Sequence, residues 1–271
     1  MSLGLPLVVA QSSGPGCPPA PENVGAFADA FKFIFGERES ISGGVCVGGL
    51  GEIGSLAASH MSVSVVAMLL AVLVAVPIGL YLGHKGRGEF LAVSLSNIGR
   101  AVPTLALLAF FVAFLGVGFT NVTAVLTLLA IPPILTNTYV GVRQVNRESV
   151  DAARGMGLSE GQIVRRVELP MSLPSIFGGI RTSAVAVVAT ATIAPLANVQ
   201  SLGTPILEPQ SYGNAGQLGA AIVVALITLA TDTGLGLLQR AVTPTGLKIA
   251  GHQPTTRRLP FPTLRRRTTT A

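Results

Sequence analysis

The chain has 271 residues, 49% of them hydrophobic and only 11% charged, with a formal net charge of +6. A soluble domain carries about 25% charged residues, so this composition excludes an ordinary water-soluble enzyme and indicates an integral membrane protein. The basic excess does not indicate nucleic acid: seven of the 18 basic residues follow Leu238 without an accompanying acid, as in a juxtamembrane tail facing anionic lipid.

Residues 1–54 form an N-terminal segment, rich in Pro and Gly at first. Phe27, Phe31, Ile34 and Phe35 fall near helical spacing and predict a short interfacial helix. The two cysteines of the chain, Cys17 and Cys46, also lie here, and the sequence leaves a bridge between them and two independent thiols equally open. The membrane domain covers 55–248. A first apolar span runs from Ser55 to Gly83, with Pro77 near its end and His60 expected at its interface. Between Ala101 and Val142 no residue is charged, which provides for two spans of roughly 20 residues each, with Gly116 to Asn121 as the turn. A charged island follows. The fourth span is expected after Arg181, reaching Asn198 past Pro195, and the fifth from Gly216 to Leu238. Residues 249–271 read as a basic, disordered tail.

Five spans leave 16 of the 18 basic residues on one side and only Lys32 and Arg38 on the other. The positive-inside rule then sets an extracytoplasmic N-terminus and a cytoplasmic C-terminus, in a plasma membrane. The expected fold is all-α, with about five transmembrane helices.

The island is cytoplasmic in this topology. Glu148 to Met156 reads as a short helix with a low-profile face at Ala152 and Ala153, ended by Gly155 and Gly157. Ser159 with Gln162 is a capping-box pattern that starts a second short helix. Pro170 and Pro174 bracket the start of the next span. Two short helices at an angle make a knob that suits a partner's groove, and Asp151 is placed either to meet a partner cation or to cap its own helix.

The spacing of Asp151, Ala152, Ala153, Gly157, Val167, Leu169 and Pro170 resembles the "EAA" motif of ABC-transporter permeases, with Asp for Glu and Val for Ile. The stretches from Ala101 to Leu108, Leu135 to Val142 and Asp232 to Arg240 resemble the glycine betaine/carnitine/choline branch, and the likeness covers roughly residues 50–248. The resemblance implies a type I importer permease whose motif is a coupling-helix elbow. It further implies pairing with a second permease subunit and with ABC ATPases, and substrate delivery by an extracytoplasmic binding protein. No cofactor is expected on this chain; ATP and Mg²⁺ belong to the partner ATPase, and the sequence shows neither a Walker loop nor a dinucleotide fingerprint. An amino acid as cargo, an ATP-independent secondary transporter and, last, a membrane-embedded enzyme are the alternatives.

Asn137, Thr138, Tyr139, Thr190 and Thr192 are polar groups inside apolar spans and are candidates for a translocation path, with interhelical hydrogen bonding as the competing role. Asp232 is the acid inside the fifth span, with Arg181 and Arg100 as candidate partners and a place near the cytoplasmic interface, in water, as the alternative; packing outranks substrate contact for it. Trp is absent, so an aromatic cage for a quaternary ammonium is expected on the binding protein rather than here.

Overall fold

A run of 37 residues with no break stronger than one proline becomes a single helix, α2 (Gly49–Lys85), continuous through Pro77. It appears in a computed structural model that describes residues 16–18, 25–86, 90, 94 and 102–243. Before it lie α1 (Ala26–Phe35) and a two-stranded antiparallel ribbon of β1 (Glu37–Glu39) and β2 (Cys46–Gly48), which pairs Arg38 with Val47. After it come α3 (Thr104–Leu115), α4 (Phe119–Arg143), α5 (Arg147–Gly155) and α6 (Glu160–Ile163). A wide-turned segment (Val164–Glu168) leads into α7 (Leu169–Thr190), which tightens over Ala191–Ala197; α8 (Thr204–Leu207) and α9 (Pro209–Val242) complete the described order.

Four of the described helical stretches are long and apolar enough to cross a membrane: Gly49–Lys85, Phe119–Arg143, Glu160–Ala197 and Pro209–Val242. The span expected first within 101–142 corresponds to α3, whose 12 residues extend about 18 Å against a hydrocarbon core of about 30 Å. The fourth span starts before Arg181, not after it. Leu169-Pro170 continues a helical stretch already running from Glu160, and the wide turn over Val164–Glu168 sits directly before Pro170, whose missing N–H interrupts the regular ladder there. The fifth span is longer than 216–238 and bends at Gly213, whose φ of 62° is left-handed. Arg100, the tail 249–271 and most of the residues between the first two apolar helices lie outside the described residues.

The core is built around α4. The buried face of α2 presents Val63, Ala67, Ala71, Ala75 and Gly79 at four-residue intervals, a small-residue stripe that lets two backbones approach. A Cβ at Gly79 would stand 2.7 Å from the Cβ of Thr138 on α4, and one at Gly179 on α7 would stand 2.8 Å from that of Asn137. Helix α4 is therefore gripped on two sides. His60, expected at the membrane interface, is fully buried, with Nε2 2.9 Å from the Val188 carbonyl oxygen of α7; that oxygen sits where α2 crosses α7, a pairing that no local pattern encodes.

Cys17 and Cys46 are joined by a disulfide that ties the segment before α1 to β2. The resulting module holds the start of α9. Phe33, 1% exposed, meets the Tyr212 ring edge-on at 6.1 Å between centroids, and the Arg38 guanidinium lies 5.1 Å over the Phe33 ring while donating to the Tyr212 carbonyl. The Tyr212 hydroxyl donates to Glu52 of α2 at 2.6 Å, and the Ser40 hydroxyl to the Ser211 carbonyl at 2.9 Å.

Candidate functional site: an exposed elbow tied to the first long helix

Helix α5 starts at Arg147 because Asn146 caps it: its side chain accepts from the Glu148 N–H at 2.8 Å. Asp151 therefore has no capping role; it sits mid-helix and accepts from Arg154 Nη1 at 3.0 Å on the exposed side. The two alanines divide the work. Ala153 is buried with Val145, Val150 and Ile163, backed by Leu158, Val167 and Met171, whereas Ala152 faces outward beside Asp151. The elbow thus has its own small apolar core, which fixes the angle between α5 and α6.

Gly157 makes the corner. Its φ of 83° is a backbone conformation that a side chain disfavours, and its N–H returns to the Arg154 carbonyl at 3.0 Å. Ser159 and Gln162 form the capping box expected of them, with the Ser159 N–H donating to Gln162 Oε1 at 2.9 Å. Met156, 74% exposed, projects from the same corner. Leu169 and Pro170 are half-buried at the start of α7, so one continuous helix joins the corner to the membrane span.

Charges link this elbow to α2. Arg154 donates Nε and Nη2 to the two carboxylate oxygens of Glu160 at 3.0 and 3.2 Å, and that hydrogen-bonded carboxylate holds the guanidinium above its ordinary range. His84, at the end of α2, stands with Nε2 3.1 Å from Glu160 and Nδ1 2.8 Å from Glu168. Glu168 is 3% exposed, a buried carboxylate whose partner comes from another helix. Neither His84 nor Glu168 is prominent in the sequence; the usable signal is an acid directly before Leu-Pro, flanked by the apolar Val167, Leu169 and Pro170 that end the motif.

The intramembrane candidates separate. Thr138 is fully buried and returns its hydroxyl to the Ile134 carbonyl at 2.7 Å; Tyr139 is 5% exposed in the core; Asn137 donates to the Pro133 carbonyl at 2.8 Å. Thr192 donates to the Ala189 carbonyl at 2.8 Å, and Thr190 is half-buried at the end of α7. Asp232 is the candidate that meets a distant partner: Arg181 of α7 grips it with two parallel hydrogen bonds, Nη2 to Oδ2 at 2.5 Å and Nε to Oδ1.

Long apolar helices with an exposed, internally packed elbow between the α4 and α7 spans define a polytopic membrane transport subunit. Residues 75–245 match the family described as binding-protein-dependent transport system inner membrane component, and the chain belongs to it. It is 36% identical over 190 residues to the choline transport system permease protein OpuBB of Bacillus subtilis (strain 168), covering 70% of this chain and 88% of that protein. It is 34% identical to the glycine betaine/carnitine/choline transport system permease protein OpuCB of the same organism, covering 73% and 92%. The osmoprotectant import permease protein OsmY of Salmonella typhimurium is 34% identical, with 68% and 80% covered. The fold is that of type I ABC importer permeases: the MetNI methionine ABC transporter in an inward-facing conformation matches with a TM-score of 0.62 at 20% identity, over 72% of this chain and 98% of that one.

Proposed function

We propose that this chain is the membrane subunit of an ATP-driven importer for an osmoprotectant-type quaternary amine, such as glycine betaine, choline or carnitine. A binding protein delivers the solute on the extracytoplasmic side, where the disulfide module stands, and the elbow side faces the cytoplasm. A second permease subunit completes the pathway, and ABC ATPases that bind ATP and Mg²⁺ supply the energy. The relatives' substrates support the cargo, and the charge asymmetry of the sequence supports the orientation.

The elbow carries the reading. Asp151, Ala152 and the exposed corner at Gly157 form the surface against which an ATPase closes, while Val167, Leu169 and Pro170 pass that displacement into α7 as a rigid body. Such a device shifts a two-state equilibrium only if its contacts differ between the states, which a partner seated on the corner provides.

The test is uptake into liposomes holding this permease, its ATPase and its binding protein, with betaine, choline, carnitine and amino acids in competition. Competition by quaternary amines is expected; competition by amino acids alone would remove the cargo and leave the transporter. Gly157→Val in the same system is expected to lower uptake by about tenfold or more while the permease inserts normally, because a β-branched residue disfavours the left-handed corner. Unchanged uptake would remove the elbow from the coupling path.

A further inference from the structure

The Arg181–Asp232 pair lies midway along the α7–α9 seam and stays open. Arg181 is 12 positions along α7 from Leu169, about 18 Å, and Asp232 is 10 positions from the end of α9, about 15 Å. Both residues therefore sit more than two turns inside helices long and apolar enough to cross a membrane. The side chains are nevertheless 41% and 31% exposed in the isolated chain. A charge pair on such helices is placed toward the interior of an assembly or water rather than lipid.

Two cavities meet at the pair. One of about 510 Å³ is lined by Gly178, Arg181, Thr182, Asp232 and Gln239 on its elbow side. The other, of about 580 Å³, extends from Asp232 past Thr228 and Val185 to Ile206 at the opposite end. They share Val185 and Asp232, so the α7–α9 seam forms one groove along the span with the ion pair at its middle. At Gly236, one turn beyond Asp232, an added Cβ would come 3.3 Å from Arg181 Nη1; the missing side chain lets the guanidinium lie close against α9.

We infer that Arg181 and Asp232 together form a recognition point for a zwitterionic solute, Arg181 taking its carboxylate and Asp232 its cationic head. The inference rests on the osmoprotectant reading above and names the residues that act on that cargo. A zwitterion replaces the internal pair with two equivalent pairs and adds no net charge to the membrane interior. A guanidinium fork matches a carboxylate bidentately, as it already does with Asp232. A cation without a carboxylate would occupy Asp232 and leave Arg181 unpaired, so the site favours betaine over choline.

The test uses the full transporter in liposomes with saturating, solute-loaded binding protein, measuring initial uptake of glycine betaine and of choline per inserted permease. Arg181→Gln leaves a lone carboxylate and is expected to lower the betaine-to-choline ratio by about tenfold or more. A ratio that stays unchanged while both rates fall equally would assign the pair to packing alone. Should Arg181→Gln fail to insert, the neutral pair Arg181→Gln with Asp232→Asn decides, with betaine uptake expected to drop by about tenfold and wild-type uptake overturning the inference. Wild-type transporter that carries neither solute sinks the cargo reading, and this inference with it; a carrier whose ratio ignores the substitution sinks only the inference.

Discussion

Helices α4 and α9 are both apolar and long enough to cross a membrane, yet 50% of the most apolar window of α4 is buried inside the chain and only 6% of that of α9. The difference is in what each helix meets. Helix α4 is held by α2 and α7 through contacts so close that Thr138 and Asn137 sit against bare glycine backbone. Helix α9 touches α7 along an open groove, and its first residues are held from the other side, where Arg38, Ser40 and Glu52 bind Ser211 and Tyr212. One seam is built to stay shut. The other leaves polar groups accessible in a place where lipid cannot satisfy them.

The largest break in that comparison should come from the closed seam. Gly79→Leu drives a side chain into Thr138 and is expected to cost about 3 kcal/mol or more, enough that little folded permease survives purification. Gly234→Ala on α9, where an added Cβ meets nothing within 4 Å, should change stability by no more than about 1 kcal/mol. Thermal unfolding followed by circular dichroism in detergent separates the two, and equal losses would erase the distinction between the seams.

Removing the tether at the head of α9 is the next test. Cys17→Ser opens a bridge between residues 29 apart and is expected to cost about 2–4 kcal/mol. The melting curve should move toward that of dithiothreitol-treated wild type. Identical melting with and without the bridge would show that the aromatic and hydrogen-bonded contacts hold α9 unaided.

The smallest effect concerns the link between elbow and α2. His84→Ala leaves Glu160 and Glu168 without their ring partner, and ATP-driven uptake is expected to fall about fivefold, equivalent to about 1 kcal/mol of lost coupling, with normal insertion. Unimpaired uptake would place the transmission entirely in α7.

Local patterns made the elbow legible. The capping box at Ser159 and Gln162, the glycine corner and the spacing from Asp151 to Pro170 are all short-range, and the helices they imply lie within a residue of where they form. Charge-free stretches likewise announced the apolar helices. What stayed hidden depends on register between helices far apart in the chain. Asp232 had two plausible arginines, and only the crossing of α7 and α9 selects Arg181. His60 carried the chemistry of an interfacial residue and is buried because Val188, 128 positions away, crosses α2 at that height. Arg181 reads as a boundary charge until its partner is known, so the sequence alone starts the fourth span later than the helix does.

Helix α2 has a further consequence. Glu52, which receives the Tyr212 hydroxyl, and His84, which faces Glu160 and Glu168, are 32 residues apart on one helix, about 48 Å. A single rod therefore gauges the distance between the disulfide module and the elbow, and it outreaches a hydrocarbon layer of about 30 Å even at a tilt of about 40°. Stretching is not open to it. Displacement at the elbow must appear as rotation or sliding of the other helices against this rod, with Glu52 and His84 as its two fixed marks.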